Sequence, residues 1–130
     1  MATWKSFEDI EVWQLSRDFC KEVFRIINYD GLKTDYRLKN QINGSSGSIM
    51  DNIAEGFDRD GKKEFIQFLS IAKGSAGESR SQLYRIFDRG YVSEKEFVEL
   101  KNRASEIANK IGGLINYLKK SEYRGIKYKQ

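Results

Sequence analysis

Ser48-Ile49-Met50-Asp51-Asn52-Ile53-Ala54-Glu55-Gly56-Phe57-Asp58-Arg59, followed by Lys63-Glu64-Phe65-Ile66-Gln67-Phe68-Leu69-Ser70-Ile71-Ala72-Lys73-Gly74-Ser75, reads as the end of one helix, a tight turn and the start of another. Ile49 and Ile53 are four residues apart, and Phe65, Leu69 and Ala72 recur at steps of four and three, the spacing of one helix face. Gly56 suits a C-terminal cap, where a positive φ costs little. So short a connection makes the two helices antiparallel neighbours. With the turn centred near residues 59–60, residue i falls beside about residue 119 − i. Gly44-Ser45-Ser46-Gly47-Ser48 then lies opposite Ile71-Ala72-Lys73-Gly74-Ser75. Gly and Ser weaken a helix interior, so their presence predicts close approach of two backbones, or hydroxyls bonding across them.

Working outward, Leu38, Ile42, Ser45, Ile49 and Ile53 give the inner face of a helix from Asp35 to Phe57. Phe65, Phe68, Leu69, Ala72, Ala76, Leu83 and Ile86 stripe a helix that starts near Gly61 or Lys62 and ends near Gly90. The segment Glu94 to Lys120 carries apolar residues from Phe97 to Leu118 over about 120° of a helical wheel. It opens with a capping box, Ser93-Glu94-Lys95-Glu96. The first helix, Phe7 to Tyr29, has two adjacent stripes. Val12, Leu15, Phe19, Val23 and Ile26 form one, and Ile10, Trp13, Cys20, Phe24 and Ile27 the other. Together they span about 220°, more than the ~100° that a surface helix buries. One side faces the bundle. The other predicts a second partner around Trp13, Phe24 and Ile27, either the termini or another subunit.

The expected class is all-α: an up-down antiparallel four-helix bundle over residues 1–120, followed by a basic tail at 121–130. A chain of 130 residues without proline permits this. The composition, 39% hydrophobic and 32% charged, is that of a globular domain, and no apolar run reaches the ~18 residues of a membrane span. No signal-peptide core is visible near Met1-Ala2-Thr3-Trp4-Lys5. The lone Cys20 reads as a buried, reduced thiol, and the expected location is cytoplasmic.

Histidine is absent, which removes Ser-His-Asp and Cys-His catalysis and histidine metal sites. No phosphate-loop motif occurs. The expectation is therefore a protein that is not an enzyme and needs no cofactor or metal. Asn52, Glu55 and Arg59 share one side of their helix, with Glu64 across the turn. They read as a structural polar network in which Arg59 or Asn52 satisfies Glu55. A carboxylate metal site on Glu55 and Glu64 is the less favoured reading, because bundle metal sites of this kind add a Glu-x-x-His motif.

Charge is uneven along the chain. Lys119, Lys120, Arg124, Lys127 and Lys129 are opposed only by Glu122, so this end carries the whole net charge of +4 and the remainder is neutral. Tyr123 and Tyr128 are interleaved with these cations. Cations neutralise phosphates and aromatics stack on unpaired bases, which makes the tail the candidate nucleic-acid site. A solvated terminus is the plainer alternative.

The pattern SIxxNIAEGxxR…KEFxxFLxIAxGS, with the opening Phe7-Glu8-Asp9-Ile10-Glu11-Val12-Trp13-Gln14, resembles the family of proteins named after intervening sequences in 23S rRNA genes. The family is named for gene location, not for a place in the ribosome. The resemblance implies an up-down four-helix bundle. It also implies assembly as a homopentameric barrel, as in the similar accessory proteins of diversity-generating retroelements, which bind nucleic acid and a reverse transcriptase. The chain departs from the family where Asn43-Gly44-Ser45-Ser46-Gly47 replaces basic residues and alanines, and where Met50 replaces a proline. Any nucleic-acid role then shifts to the tail, with Arg17, Lys21, Arg25 and Arg80 as lesser candidates. The expected function is a homo-oligomeric, nucleic-acid-binding accessory factor with a protein partner; the alternative is an interaction scaffold without nucleic acid.

Overall fold

The computed structural model describes residues 3–121 and is helical, with no strand among them. A 3-10 turn at Phe7–Asp9 leads into α1 (Glu11–Ile26), α2 (Asp30–Thr34), α3 (Tyr36–Asp58), α4 (Lys62–Asp88) and α5 (Glu94–Lys120). The four long helices form a bundle in the cyclic order α1, α3, α4, α5, so α1 and α4 are diagonal. The core runs through all four, from Phe19, Val23 and Ile26 of α1 to Ile107, Ile111 and Leu118 of α5.

The first helix is shorter than its apolar pattern. Ser6 and Asp9 close a capping box around the 3-10 turn, and α1 begins only at Glu11. At its other end α1 stops at Ile26, and a short second helix fills the link to α3. Asp35 starts α3: its carboxylate accepts the Leu38 N–H and pairs with Arg89 at 2.7 Å, while the Tyr91 hydroxyl donates to it at 2.9 Å. The Tyr91 ring lies against Gly31, where a Cβ would come within 2.6 Å of Cδ1. The α2–α3 corner is thereby fastened to the α4–α5 loop.

Gly56 is not a cap. It lies inside α3, and a Cβ there would sit 2.6 Å from the Cβ of Phe68, so its role is close approach of the two backbones. The residue with positive φ in this turn is Asp60, at 66°. At the other end of α4, Gly90 takes φ 75°, and the Tyr91 N–H reaches the Ile86 carbonyl at 3.1 Å, closing the helix with a left-handed cap.

The hairpin register also differs from the expected one. Ser48 meets Ser75, Ser45 meets Ser79, and Gly56 faces Phe68. Each α4 partner lies about one helical turn further from the loop than simple folding-back places it. Side chains lean toward the N-terminus of their own helix, away from the loop on α3 and toward it on α4. Contacting pairs are offset accordingly.

The small residues divide into two groups. Ser45, Ser46, Ser75 and Ser79 are buried between helices and hydrogen-bonded. Gly44, Gly47, Gly74 and Gly77 face no neighbour: a Cβ at any of them meets nothing within 4 Å. Close packing within the subunit accounts for the serines and Gly56, and not for these four glycines.

Candidate functional site

Lys119 and Lys120 form the exposed last turn of α5, where positive charge also complements the helix dipole. The Lys62 ammonium, at the start of α4, donates to the Ser121 carbonyl at 2.9 Å. The bundle thus gathers Lys62, Lys119 and Lys120 where the basic tail departs. Arg124, Lys127 and Lys129 lie outside the described residues.

The lesser candidates do not join them. Arg25, on α1, is engaged by Glu22 at 2.8 Å and Glu96 at 3.0 Å, and these pairs raise its already high pKa. Arg17 and Lys21 are exposed on the same helix. Arg80 stands on diagonal α4 and donates to the Ser105 hydroxyl at 3.1 Å.

The second stripe of α1 is covered at its ends and open in its middle. Ile27, expected on an oligomer surface, is only 6% exposed and belongs to the subunit's own core, because the chain turns over it into α2. Ile10 is likewise buried and belongs to the same core. Trp13 is half-buried with its ring against Phe7, centroids 5.0 Å apart. Phe24 remains 65% exposed. Cys20 is partly covered rather than fully buried, and its thiol donates to the Ser46 carbonyl at 3.2 Å. Burial pushes that thiol's pKa up and holds it in the neutral form.

Asn52, Glu55, Arg59 and Glu64 are not one network. Arg59 pairs with Glu55 at 3.0 Å on an exposed helix face. Asn52 instead donates to the carbonyl and hydroxyl of Ser48, at 2.8 and 2.9 Å. Glu64 folds over Gly61 at the start of α4, where its charge suits the helix dipole. Among the described residues no group of three or more Cys, Asp or Glu side chains is placed to hold a metal.

Sequence reasoning missed two features. One is a buried trio in which Ser45 donates to the Gln82 side-chain carbonyl at 2.6 Å and lies 2.8 Å from the Ser79 hydroxyl. The serine spacing was the visible signal, but Gln82 was not. The other is a groove between α4 and α5, with recesses of about 550 and 280 Å³ that share Lys73.

These features define an all-helical bundle with a basic end, a groove between α4 and α5 and an exposed aromatic on its first helix. Residues 8–113 match the sequence profile of the 23S rRNA-intervening sequence protein family, and the chain belongs to that family. It is also similar to a protein of unknown function from the S23 ribosomal protein family of Bacteroides thetaiotaomicron VPI-5482, whose crystal structure is known at 1.70 Å. That similarity has a TM-score of 0.69 at 27% identity and covers 80% of this chain and 97% of the other. No curated protein gives a significant match. Among the described residues, no helix is long and apolar enough to cross a membrane.

Proposed function

We propose that this protein is a non-enzymatic, homo-oligomeric accessory factor of the cytoplasm that binds nucleic acid through phosphate contacts and works beside a protein partner. The observation that carries the reading is the cluster of Lys62, Lys119 and Lys120 at one end of the bundle, with Arg124, Lys127 and Lys129 following in the sequence. Phosphate recognition is mainly electrostatic, so an oligomer presenting one basic end per subunit gains avidity from weak individual contacts.

The test is oligonucleotide binding across a salt series, with and without residues after Leu118. Wild-type binding should weaken as salt rises, and truncation should reduce it while leaving helicity intact. Equal binding by the truncated protein would remove the tail from the site. A second reading, a protein-interaction scaffold, draws on the exposed Phe24. Oligomer formation with no binding to RNA or DNA at low salt favours it.

A further inference from the structure

We infer that the α4–α5 groove is a track for a single strand of nucleic acid, gripped by its phosphates; this rests on the nucleic-acid reading above and adds a second site to the tail. Residues 70, 73, 74, 77 and 80 of α4 share one helix face by their spacing, and they line the two recesses. Lys73 and Arg80 stand along that wall; Lys119 shares the larger recess with Lys73 from α5, and Arg80 lies at the far end of the smaller one, opposite Ser105. None of the three has an ion-pair partner among the described residues, and no carboxylate lines either recess. Unneutralised cations along a concave surface select a polyanion.

The floor lets that polyanion come close. Gly74 and Gly77 leave the α4 backbone bare, with nothing within 4 Å of where a Cβ would stand. At Gly112 the nearest atoms are those of Lys73, whose ammonium lies 3.6 Å from the Cβ position, so this lysine reaches across the groove. Ser105, Asn109 and Asn116 add polar groups along the α5 wall.

Size and composition choose the form of the ligand. The two recesses, of about 550 and 280 Å³, are of the size of a small-ligand pocket, which admits a single strand and not a duplex. From Ser105 to Lys119 the α5 wall runs about 21 Å at 1.5 Å per residue, room for several nucleotides. No aromatic side chain lines the groove, so bases are not stacked there and the grip is on the phosphates.

The test compares the full-length protein with its Lys73→Gln/Arg80→Gln variant for binding to labelled single-stranded homopolymers across a salt series. The variant should bind more weakly at low salt, and its slope of log K against log salt should fall by about 1.4, roughly 0.7 for each lost phosphate contact. Gly77→Leu, which fills the groove without changing charge, should weaken binding too. Lys33→Gln/Lys95→Gln, the same charge change on exposed sites outside the groove, should leave the slope unaltered. A wild-type slope in Lys73→Gln/Arg80→Gln, with binding abolished by truncation after Ser121, which keeps Lys119, would confine recognition to the tail and overturn the groove. A change in oligomer mass in that variant would reassign the groove to a subunit contact. Tighter binding of polyglutamate than of the homopolymers would reassign it to an acidic protein segment. Absence of wild-type binding at every salt concentration would sink the nucleic-acid reading itself.

Discussion

The hydroxyl of Ser45 in α3 lies 2.8 Å from that of Ser79 in α4, and both side chains are sealed in the bundle core. Ser45 commits its one proton to the Gln82 carbonyl oxygen at 2.6 Å, so Ser79 donates to Ser45. Three polar residues are satisfied together inside an otherwise apolar α3–α4 interface. Ser45→Ala breaks both contacts and strands its partners, and should cost about 1–3 kcal/mol in urea unfolding. Ser45→Ala/Ser79→Ala should cost less than the sum of the two single changes, because the residues share one network. Full additivity would mean that they act independently.

The glycines of the same hairpin should respond in opposite directions. A Cβ at Gly56 would stand 2.6 Å from the Cβ of Phe68, and neither is the far end of a flexible chain. Gly56→Ala therefore forces α3 and α4 apart at the turn and should destabilise the subunit by about 1–3 kcal/mol. Gly44→Ala meets open space on an exposed helix face and should stabilise it by about 0.4–1 kcal/mol, by restricting the unfolded chain. Thermal unfolding of the two variants side by side checks both signs.

This contrast shows what was legible in the chain. Local signals survived: the Ser93–Glu96 capping box, the periodicity of the long helices and the short turn before α4 all need only neighbours in sequence. Gly56 did not, because a helix-end glycine and a close-approach glycine look alike until Phe68 is placed across the hairpin. Ile27 continues the stripe of Trp13 and Phe24, and only the path of the chain into α2 shows that it is covered. The α4–α5 groove was beyond reach for a similar reason. Lys73 and Lys119 are far apart in sequence, and bringing them together requires the register of two helices joined through Gly90.

Glu96 links α5 to α1 and should confer a pH dependence. It accepts from the Tyr29 hydroxyl, the Ser93 backbone and hydroxyl and the Arg25 guanidinium, and its pKa falls from 4.5 to about 2, with the Tyr29 hydrogen bond the largest cause. A carboxylate with a depressed folded pKa stabilises the fold above its unfolded value and loses that contribution as the pH falls through the folded one. The wild type should therefore lose this contribution between about pH 4.5 and 2. Glu96→Gln should be less stable than wild type at neutral pH, and the gap should close across that window. Urea midpoints at a series of pH values measure it; a constant gap would show that the charge of Glu96 is not what matters.

Phe24 and Cys20 are four residues apart on α1 and share a face, so one can report on the other. Phe24 is 65% exposed and touches little of its own subunit, so Phe24→Glu should leave unfolding within about 0.5 kcal/mol of wild type. If this face meets a neighbouring subunit, the same change buries a charge there, and light scattering should record a lower mass at unchanged helicity. The Cys20 thiol, raised by burial and donating to Ser46, should already alkylate more slowly than a free cysteine at neutral pH. Covering of the face by a neighbour slows it further, so Phe24→Glu should speed alkylation as the oligomer dissociates. A drop in mass with an unchanged alkylation rate places the subunit contact away from Cys20. Unchanged mass and rate together remove Phe24 from any interface and leave its exposed ring for a different protein partner.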